Sequence, residues 1–273
     1  MALREIKTVG VVGLGAIGRP IAGHIARIVH TVIGFDIRKE ALTVAAPQIV
    51  PASSCVDLAA RCDLILITVD TDEQVQSVLF ATDGLVSGAR EDAIIIVSST
   101  IAPRRMTDIA ARMKDKRLAL LDAPLAGGED GARTGRLVAF VGGAAETLTA
   151  ARPVLRAFTS SIHHLGPLGA GLAGKLANNL IFWACLSAND EALKFGERLG
   201  VEPTALRNAI TAANGQNWAL SNSAADKPLP SAEKDMAIVI EEAARLGLGL
   251  PLSATVKDTI TAIKAARSAR ERF

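Results

Sequence analysis

Two polar residues near the start of a glycine-rich, apolar segment have the types and spacing needed for proton transfer. Lys175 and Asn179 lie in the run Gly169-Ala-Gly-Leu-Ala-Gly-Lys-Leu-Ala-Asn-Asn179, which continues into the apolar stretch 180–188. Residues four apart occupy one face of a helix, so the amine and the amide would be neighbours. An amine shielded by apolar walls loses part of its preference for the charged form and can exchange protons near neutral pH. The pattern predicts that Lys175 is a general acid and base, with a solvated surface charge as the alternative.

A glycine-rich turn close to the amino terminus is a second candidate site. It follows the apolar run 8–12 and precedes a helical pattern. In a G-x-G-x-x-G turn the first glycine makes the turn, the second lets a pyrophosphate approach the backbone, and the third allows close strand–helix packing. The N–H groups at the start of the following helix can then bind phosphates. The alternative is a turn without a ligand. The predicted cofactor-binding residues of this turn are Gly13, Leu14, Gly15, Ala16, Ile17 and Gly18.

An acidic residue at the end of the next apolar run fits the same site. Asp36 follows the run 31–35, about 20 residues after the glycine turn, where a ribose-binding carboxylate is expected. Such a carboxylate accepts hydrogen bonds from a ribose 2′-hydroxyl and repels a 2′-phosphate, which favours NAD as the cofactor. Arg38 and Lys39 offset part of that repulsion, so NADP is also possible, and Arg38 is included among the predicted cofactor-binding residues.

The elements that would position these residues alternate between strand and helix in the first half of the chain. Helical patterns at 20–28, 73–79 and 104–113 separate runs that are nearly continuously apolar. Continuous apolar runs are typical of strands that are buried on both faces. The alternation predicts an α/β fold with a doubly wound, mainly parallel sheet. The predicted strands are 8–12, 31–35, 64–69, 94–98, 118–122 and 137–141.

The pattern changes after residue 165, where strand-like runs end and Ala, Leu, Glu and Asn dominate. A long helix with a glycine-rich start is predicted over 166–198, followed by helices near 203–212, 231–246 and 252–267. We therefore predict a dinucleotide-binding domain, 1–165, and a second domain, 166–273, that contains the connecting helix and a helical substrate and oligomerisation region. Its alanine- and leucine-rich segments indicate an interface, and a homodimer or homotetramer is expected.

Composition excludes several other classes of protein. Hydrophobic residues make up 49% of the 273 residues, and the formal net charge of +2 gives no electrostatic footprint for nucleic acid or an anionic membrane. No stretch has the length and apolarity of a transmembrane helix. Cys55, Cys62 and Cys185 form neither a C-x-x-C pair nor a metal-ligand cluster. We therefore expect no metal and a reducing compartment, the cytoplasm.

Further motifs follow in a fixed order and together resemble one enzyme family. Ser98-Ser-Thr-Ile-Ala-Pro103 and Asp122-Ala-Pro-Leu-Ala-Gly-Gly128 lie between the glycine turn and the Lys175 segment, and Lys234-Asp235 follows. This ordered set resembles the β-hydroxyacid dehydrogenase family, which includes 3-hydroxyisobutyrate dehydrogenase and tartronate semialdehyde reductase. The resemblance covers essentially the whole chain. It implies a Rossmann-type domain, a helical second domain and reversible oxidation of a 3-hydroxy acid with NAD or NADP.

The resemblance also implies roles for individual residues. Lys175 matches the catalytic lysine of the family, and Asn179 matches the asparagine that orients the lysine and the substrate. In oxidation, Lys175 would accept the hydroxyl proton as hydride leaves for the nicotinamide, and in reduction it would return that proton. The further positions assigned to the cofactor are Val69, Thr100 and Lys234, and those assigned to the substrate, besides Lys175 and Asn179, are Ala126, Gly127 and Gly128.

One position departs from the family pattern. The usual loop is similar to D-A-P-V-S-G-G, and Ala126 stands where that serine would be. Losing a hydrogen bond to a charged group costs roughly 1.5–3 kcal/mol, while the two glycine N–H groups can still bind an anion. The substrate, a small anionic hydroxy acid or aldehyde acid, is therefore expected to place a bulkier or less polar group beside Ala126.

Two alternative functions use the same scaffold. An imine or aldehyde reductase would share the architecture, although imine reductases usually lack a lysine at the position of Lys175. A catalytically silent dinucleotide-binding regulatory module is supported by the altered loop at Ala126 and opposed by the presence of both Lys175 and Asn179.

Overall fold

The described part of the protein forms two compact units. The computed structural model describes residues 5–43, 49–222, 229 and 231–270. The first unit is Met1–Lys175 and the second is Leu176–Phe273. The domain boundary predicted between residues 165 and 166 stays a prediction.

A nine-stranded sheet forms the centre of the first unit. Its strands are β1 (Thr8–Val12), β2 (Thr31–Phe35), β3 (Ile49–Pro51), β4 (Leu64–Ile67), β5 (Ile94–Val97), β6 (Ala119–Asp122), β7 (Leu125–Ala126), β8 (Leu137–Gly143) and β9 (Thr159–Gly166). Strands β3, β2, β1, β4, β5 and β6 lie side by side in that order and are parallel. β8 pairs antiparallel with β6 and β7, and β9 pairs parallel with β8. The predicted mainly parallel sheet is confirmed.

Alternate residues of the central strands supply a hydrophobic core on each face of the sheet. In β4, Leu64 and Leu66 belong to one core cluster, and Ile65 and Ile67 belong to the other. All four side chains are fully buried, as expected for a strand that is covered on both faces. The two cores confirm the doubly wound arrangement.

Helices cover the sheet in the first unit. They are α1 (Gly18–Ile25), α2 (Lys39–Thr43), α3 (Cys55–Arg61), α4 (Asp72–Phe80), α5 (Leu85–Gly88), α6 (Pro103–Arg112), α7 (Gly128–Thr134) and α8 (Ala145–Arg156). Local sequence fixes several of their starts. At α4 the Thr71 side chain accepts a hydrogen bond from the N–H of Gln74, and the Gln74 side chain accepts one in return, which satisfies two N–H groups at the helix start.

The regular secondary structure in the described part of the second unit consists of helices. The long helix α9 (Ala170–Arg198) begins in the first unit and ends in the second, where α10 (Pro203–Thr211), α11 (Trp218–Ser221), α12 (Ala232–Arg245) and α13 (Pro251–Arg270) follow. Trp183, Leu186, Met236 and Ile260 are among the buried residues of its core. In the described residues, no helix combines the length and the apolar character that crossing a membrane requires.

The sequence-based strand predictions differ from the structure mainly at the sheet edges. The bounds 8–12 and 31–35 are confirmed, and the other four predicted strands end within two residues of the observed ones. β3, β7 and β9 were not predicted. Because β9 reaches Gly166, the predicted start of the long helix at 166 is wrong, and the helix begins at Ala170.

Candidate functional site

The glycine turn connects β1 to α1 in a conformation that excludes side chains at two positions. Gly13 has a φ of +91°, and a Cβ there would lie 2.8 Å from the carbonyl oxygen of Thr68. A Cβ on Gly18 would collide with the carbonyl oxygen of Gly13 and with Oγ1 of Thr68. At Gly15, by contrast, the nearest atom to an added Cβ is Nη2 of Arg38, 3.7 Å away. Folding therefore requires glycine at 13 and 18, whereas the space beside Gly15 is open to a ligand.

The carboxylate of Asp36 lies directly against this turn. It follows β2, and its side chain is only 6% exposed. Oδ2 accepts a hydrogen bond from the backbone N–H of Leu14 at 2.7 Å. Oδ1 accepts from the N–H and Nε of Arg38, at 2.9 and 3.2 Å, and Nη2 of Arg38 lies 3.3 Å from Oδ2. Burial raises the pKa of Asp36, but the hydrogen bonds from Arg38 and Leu14 outweigh it and lower the pKa below its ordinary value. Asp36 is therefore an ionised group at neutral pH.

Other predicted residues follow strands that end at the same edge of the sheet. Val69 lies two residues after β4, and Thr100 lies three residues after β5; both are half-buried. The hydroxyls of Ser98 and Ser99 are buried and make no hydrogen bond within the described part of the chain. Because ligands of open parallel sheets bind outside the carboxyl ends of the strands, this edge is the expected cofactor site.

A second pair of glycines follows β7. Gly127 and Gly128 have φ values of +117° and +62° and are exposed. A Cβ added to Gly128 would meet no described atom within 4 Å, so the conformation rather than crowding favours glycine there. Ala126, at the end of β7, is half-buried. The backbone N–H groups beside Ala126 are thus accessible to a small anion.

A buried carboxylate fixes the start of α9, a role that was not predicted from the sequence. Asp122, at the end of β6, is fully buried and accepts hydrogen bonds from the N–H groups of Gly169 (2.7 Å) and Leu172 (2.8 Å). The hydrogen bonds from these N–H groups lower the pKa of Asp122, but burial has the larger effect and raises the pKa above its ordinary value. A Cβ on Gly171 would lie 2.5 Å from the carbonyl oxygen of Phe140 and 2.7 Å from Oδ2 of Asp122. The glycine-rich run before Lys175 therefore allows α9 to start against the sheet.

Lys175 is half-buried and lies one turn into α9 after this fixed start, as the last residue of the first unit. Asn179, 2% exposed, belongs to the second unit. There Nδ2 of Asn179 donates to Oδ2 of Asp235 at 2.9 Å, and Oδ1 accepts from Nδ2 of Asn178 at 3.2 Å. Asp235 is 4% exposed, so it is a buried partner of Asn179. Sequence reasoning missed this contact, which spans 56 positions.

The arrangement at the sheet edge fits a dinucleotide. It combines an open approach beside Gly15, the amino-terminal end of α1 and an ionised carboxylate at the end of β2, which are the parts that a dinucleotide site requires. Among the residues that the structure describes, no group of three or more His, Cys, Asp or Glu residues could hold a metal ion.

Two family descriptions match consecutive parts of this chain. The NAD binding domain of 6-phosphogluconate dehydrogenase matches residues 8–166. The NAD-binding domain of NADP-dependent 3-hydroxyisobutyrate dehydrogenase matches residues 169–272.

Named relatives match over most of their length. L-threonate dehydrogenase from Cupriavidus necator is 32% identical over 91% of this chain and 87% of its own. 3-Hydroxyisobutyrate dehydrogenase from Pseudomonas aeruginosa is 34% identical over 77% of this chain and 70% of its own. The solved structure of 3-hydroxyisobutyrate dehydrogenase from Mycobacterium tuberculosis with L-serine superimposes with a TM-score of 0.82 at 31% identity, covering 93% of this chain and 92% of that one.

Proposed function

Because the chain belongs to the β-hydroxyacid dehydrogenase family and is an NAD(P)-dependent dehydrogenase acting on a CH–OH group, we propose that it interconverts a small 3-hydroxy acid and its carbonyl form, with Lys175 as general acid and base. The observation that carries the proposal is the buried Asp122, which fixes the start of the helix that bears Lys175. The cofactor and substrate residues predicted from the sequence are part of this proposal.

The cofactor would be held at the edge of the sheet. The N–H groups of the glycine turn would bind the pyrophosphate beside Gly15, Asp36 and Arg38 would face the adenosine ribose, and Val69 and Thr100 would lie towards the nicotinamide half. The bound nicotinamide supplies a two-electron acceptor in oxidation and a hydride donor in reduction. Lys234 stays a predicted cofactor contact from the second unit.

The protein's own residues would handle the proton and the orientation of the substrate. In oxidation the amine of Lys175 accepts the hydroxyl proton, and in reduction the ammonium protonates the incipient alkoxide. The amide of Asn179, held by Asp235, would keep one orientation towards the lysine or a substrate oxygen. The N–H groups of Gly127 and Gly128 would bind the substrate carboxylate.

The proposed substrate belongs to the class of small hydroxy acids. Relatives are named for L-threonate, 3-hydroxyisobutyrate and L-serine, which are all small hydroxy acids. With Ala126 beside the carboxylate site, we propose a substrate that has an apolar or bulkier group at that point. The test is a panel of 3-hydroxy acids and aldehyde acids, with the change in nicotinamide absorbance as the readout. Tight cofactor binding without turnover of any panel member would instead support a silent module.

We predict that Gly15→Ala weakens dinucleotide binding by about ten- to hundredfold while the protein stays folded. The added methyl group enters the space through which the pyrophosphate reaches the backbone, yet within the described structure its nearest neighbour is Nη2 of Arg38 at 3.7 Å. Isothermal titration with NAD and NADP, together with the melting temperature, measures both effects. Gly23→Ala is the matched control, because a Cβ there meets no described atom within 4 Å. Unchanged affinity in Gly15→Ala would move the pyrophosphate away from this turn.

Self-association is proposed through one face of α9. Exposed apolar residues recur along it at helical spacing and continue past its end, forming an apolar stripe: Ala177, Ile181, Ala188, Ala192, Phe195 and Leu199. Ile181 is 65% and Phe195 is 68% exposed. Exposed apolar surface of this kind marks an interface, and a stripe with small residues between large ones can pack against a second copy of itself.

Phe195→Glu is expected to shift the protein from a dimer or larger assembly towards its monomer mass of 28.4 kDa, because a charge in the apolar stripe cannot be solvated in an interface. Size-exclusion chromatography with light scattering measures the mass. Glu197→Lys, a charge change on another face of the same helix, should leave it unaltered. A wild-type protein that is already monomeric at micromolar concentration would contradict the interface.

A further inference from the structure

The hydroxyl of Thr68 reaches from the end of β4 to the glycine turn. Thr68 directly follows β4, and its backbone N–H donates to the carbonyl of Val12 at 2.9 Å, which continues the parallel pairing of β1 with β4. Its Oγ1 donates to the carbonyl oxygen of Gly13 at 2.7 Å, a usual length for a hydrogen bond from a hydroxyl. The carbonyl oxygen of Val12, 3.2 Å from Oγ1, is a more distant second acceptor. A side chain that follows one strand thus holds the first peptide of the turn that follows the neighbouring strand.

The peptide between Gly13 and Leu14 is held on both sides. In a trans peptide the C=O and the N–H point in opposite directions. Here the C=O accepts from the hydroxyl of Thr68, and the N–H donates to Oδ2 of Asp36 at 2.7 Å. The N–H of Gly13 itself donates to the carbonyl of Phe35 at 2.8 Å. Groups from β4 and from β2, the two strands that flank β1, therefore fix the orientation of this peptide.

The third glycine of the turn leaves room for the Thr68 hydroxyl. A Cβ on Gly18 would collide with both Oγ1 of Thr68 and the carbonyl oxygen of Gly13. The two hydrogen-bonded atoms and the start of α1 therefore meet at one point, and a side chain at position 18 would separate them. The glycine at this position is usually explained by close packing of strand and helix. Here it also admits a hydrogen-bond donor from β4.

The direction of the Gly13 carbonyl matters to a bound anion. A concave turn binds an anion through successive N–H groups, and a carbonyl oxygen turned into the same space would repel the anion. The Thr68 hydroxyl supplies its own donor, so it holds the carbonyl towards β4 without using an N–H group of the turn. Thr68 is uncharged and half-buried. Its effect on a bound pyrophosphate would therefore come from the orientation of the turn.

We propose that Thr68 is a positioning residue for the dinucleotide, because its hydroxyl holds the Gly13 peptide in the orientation that lets the following N–H groups of the turn face the pyrophosphate. This inference rests on the cofactor site of the proposed function. Thr68 acts through the carbonyl of Gly13 and not by contact with the cofactor. Removing the hydroxyl should therefore weaken the binding of the diphosphate and leave the binding of the adenosine unaltered.

The test compares adenosine with 5′-ADP, which differ only in the diphosphate, on the full-length protein. Calorimetric titration measures 5′-ADP, and ligand-observed NMR measures the weaker adenosine. Thr68→Val, which replaces the hydroxyl by a methyl group, should weaken 5′-ADP binding by about three- to tenfold, the effect of one neutral hydrogen bond, and adenosine binding by less than about twofold. Thr68→Ser keeps the hydroxyl and should bind 5′-ADP within about twofold of the wild type. Thr68→Ala also removes the hydroxyl and should show the same loss if the valine variant does not fold.

Thr159→Val is the matched control. The buried hydroxyl of Thr159, at the start of β9, donates to the carbonyl of Leu155 at 2.8 Å, so its removal should lower the melting temperature without weakening 5′-ADP binding. Equal weakening of 5′-ADP in Thr159→Val and Thr68→Val would show a general loss of stability and overturn the proposal. Unchanged 5′-ADP binding in Thr68→Val, an equal loss of adenosine binding, or a loss in Thr68→Ser as large as in Thr68→Val would also overturn it.

The same titrations separate this proposal from the proposed function. A wild type that does not bind 5′-ADP would refute the cofactor site itself, and the role of Thr68 with it. Because no turnover is involved, the expected binding pattern in a protein that oxidises no hydroxy acid would support the role of Thr68 and refute the proposed reaction alone.

Discussion

Lys175→Ala is expected to lower kcat by about 10²- to 10⁴-fold, the usual contribution of a positioned general acid or base. The substitution removes the group that accepts or returns the hydroxyl proton, whereas the glycine turn and Asp36, which would hold the cofactor, are elsewhere. Dissociation constants for NAD and NADP should therefore change by less than about threefold. Steady-state rates on the substrate that gives turnover, together with calorimetric titration of the cofactor, separate the two effects.

Lys194→Ala provides the control on the same helix. Lys194 is exposed and bonds to Asp190 four residues earlier, an ion pair of the kind that contributes about 0.3–0.5 kcal/mol. Its removal should leave kcat unaltered. If Lys175→Ala keeps the wild-type rate, or loses cofactor binding in parallel with turnover, Lys175 is not the proton-transfer group.

Gly171→Ala is expected to destabilise the first unit by roughly 3 kcal/mol, at the upper end of what overpacking costs. Its Cβ would lie 2.5 Å from the carbonyl oxygen of Phe140 and 2.8 Å from the backbone nitrogen of Gly142, with Oδ2 of Asp122 at 2.7 Å. Backbone atoms cannot move aside as the end of a side chain can, so α9 would have to shift from the sheet. Thermal and urea unfolding measure the loss. The variant protein that stays folded should also have a lower kcat, because Lys175 lies one turn further along α9 and would shift with the helix.

Gly174→Ala is the matched control, with the same substitution three residues later in α9. Its added Cβ would meet the end of the Leu165 side chain, which is 46% exposed and can rotate away. We expect its stability to be equal or slightly higher, since alanine favours a helix over glycine by about 1 kcal/mol. Equal stability of the Gly171→Ala variant and the wild type would mean that α9 does not start against the sheet as described.

Features that depend on neighbouring residues in the chain could be predicted from the sequence. The bounds of β1 and β2 follow from continuous apolar runs that end at Gly13 and Asp36. The glycine turn could be predicted because its conformation requires glycines at a fixed spacing. The same local reasoning failed for β9, whose residues include Ser160, Ser161 and two histidines. Among the strands that the structure describes, it pairs with β8 alone, so it does not need the apolar run that identifies a central strand.

Six of the nine strands, the doubly wound sheet and the family could be predicted from the sequence, because strand burial and the glycine turn are encoded over a few residues. The folded structure was needed to show that Asp122 fixes the start of α9, 47 positions away, and that Asp235 holds Asn179. It also showed that the side chain of Arg38 donates hydrogen bonds to the carboxylate of Asp36. Hydrogen bonds between distant residues depend on how the chain brings the elements together, and a linear pattern of residue types does not contain that information.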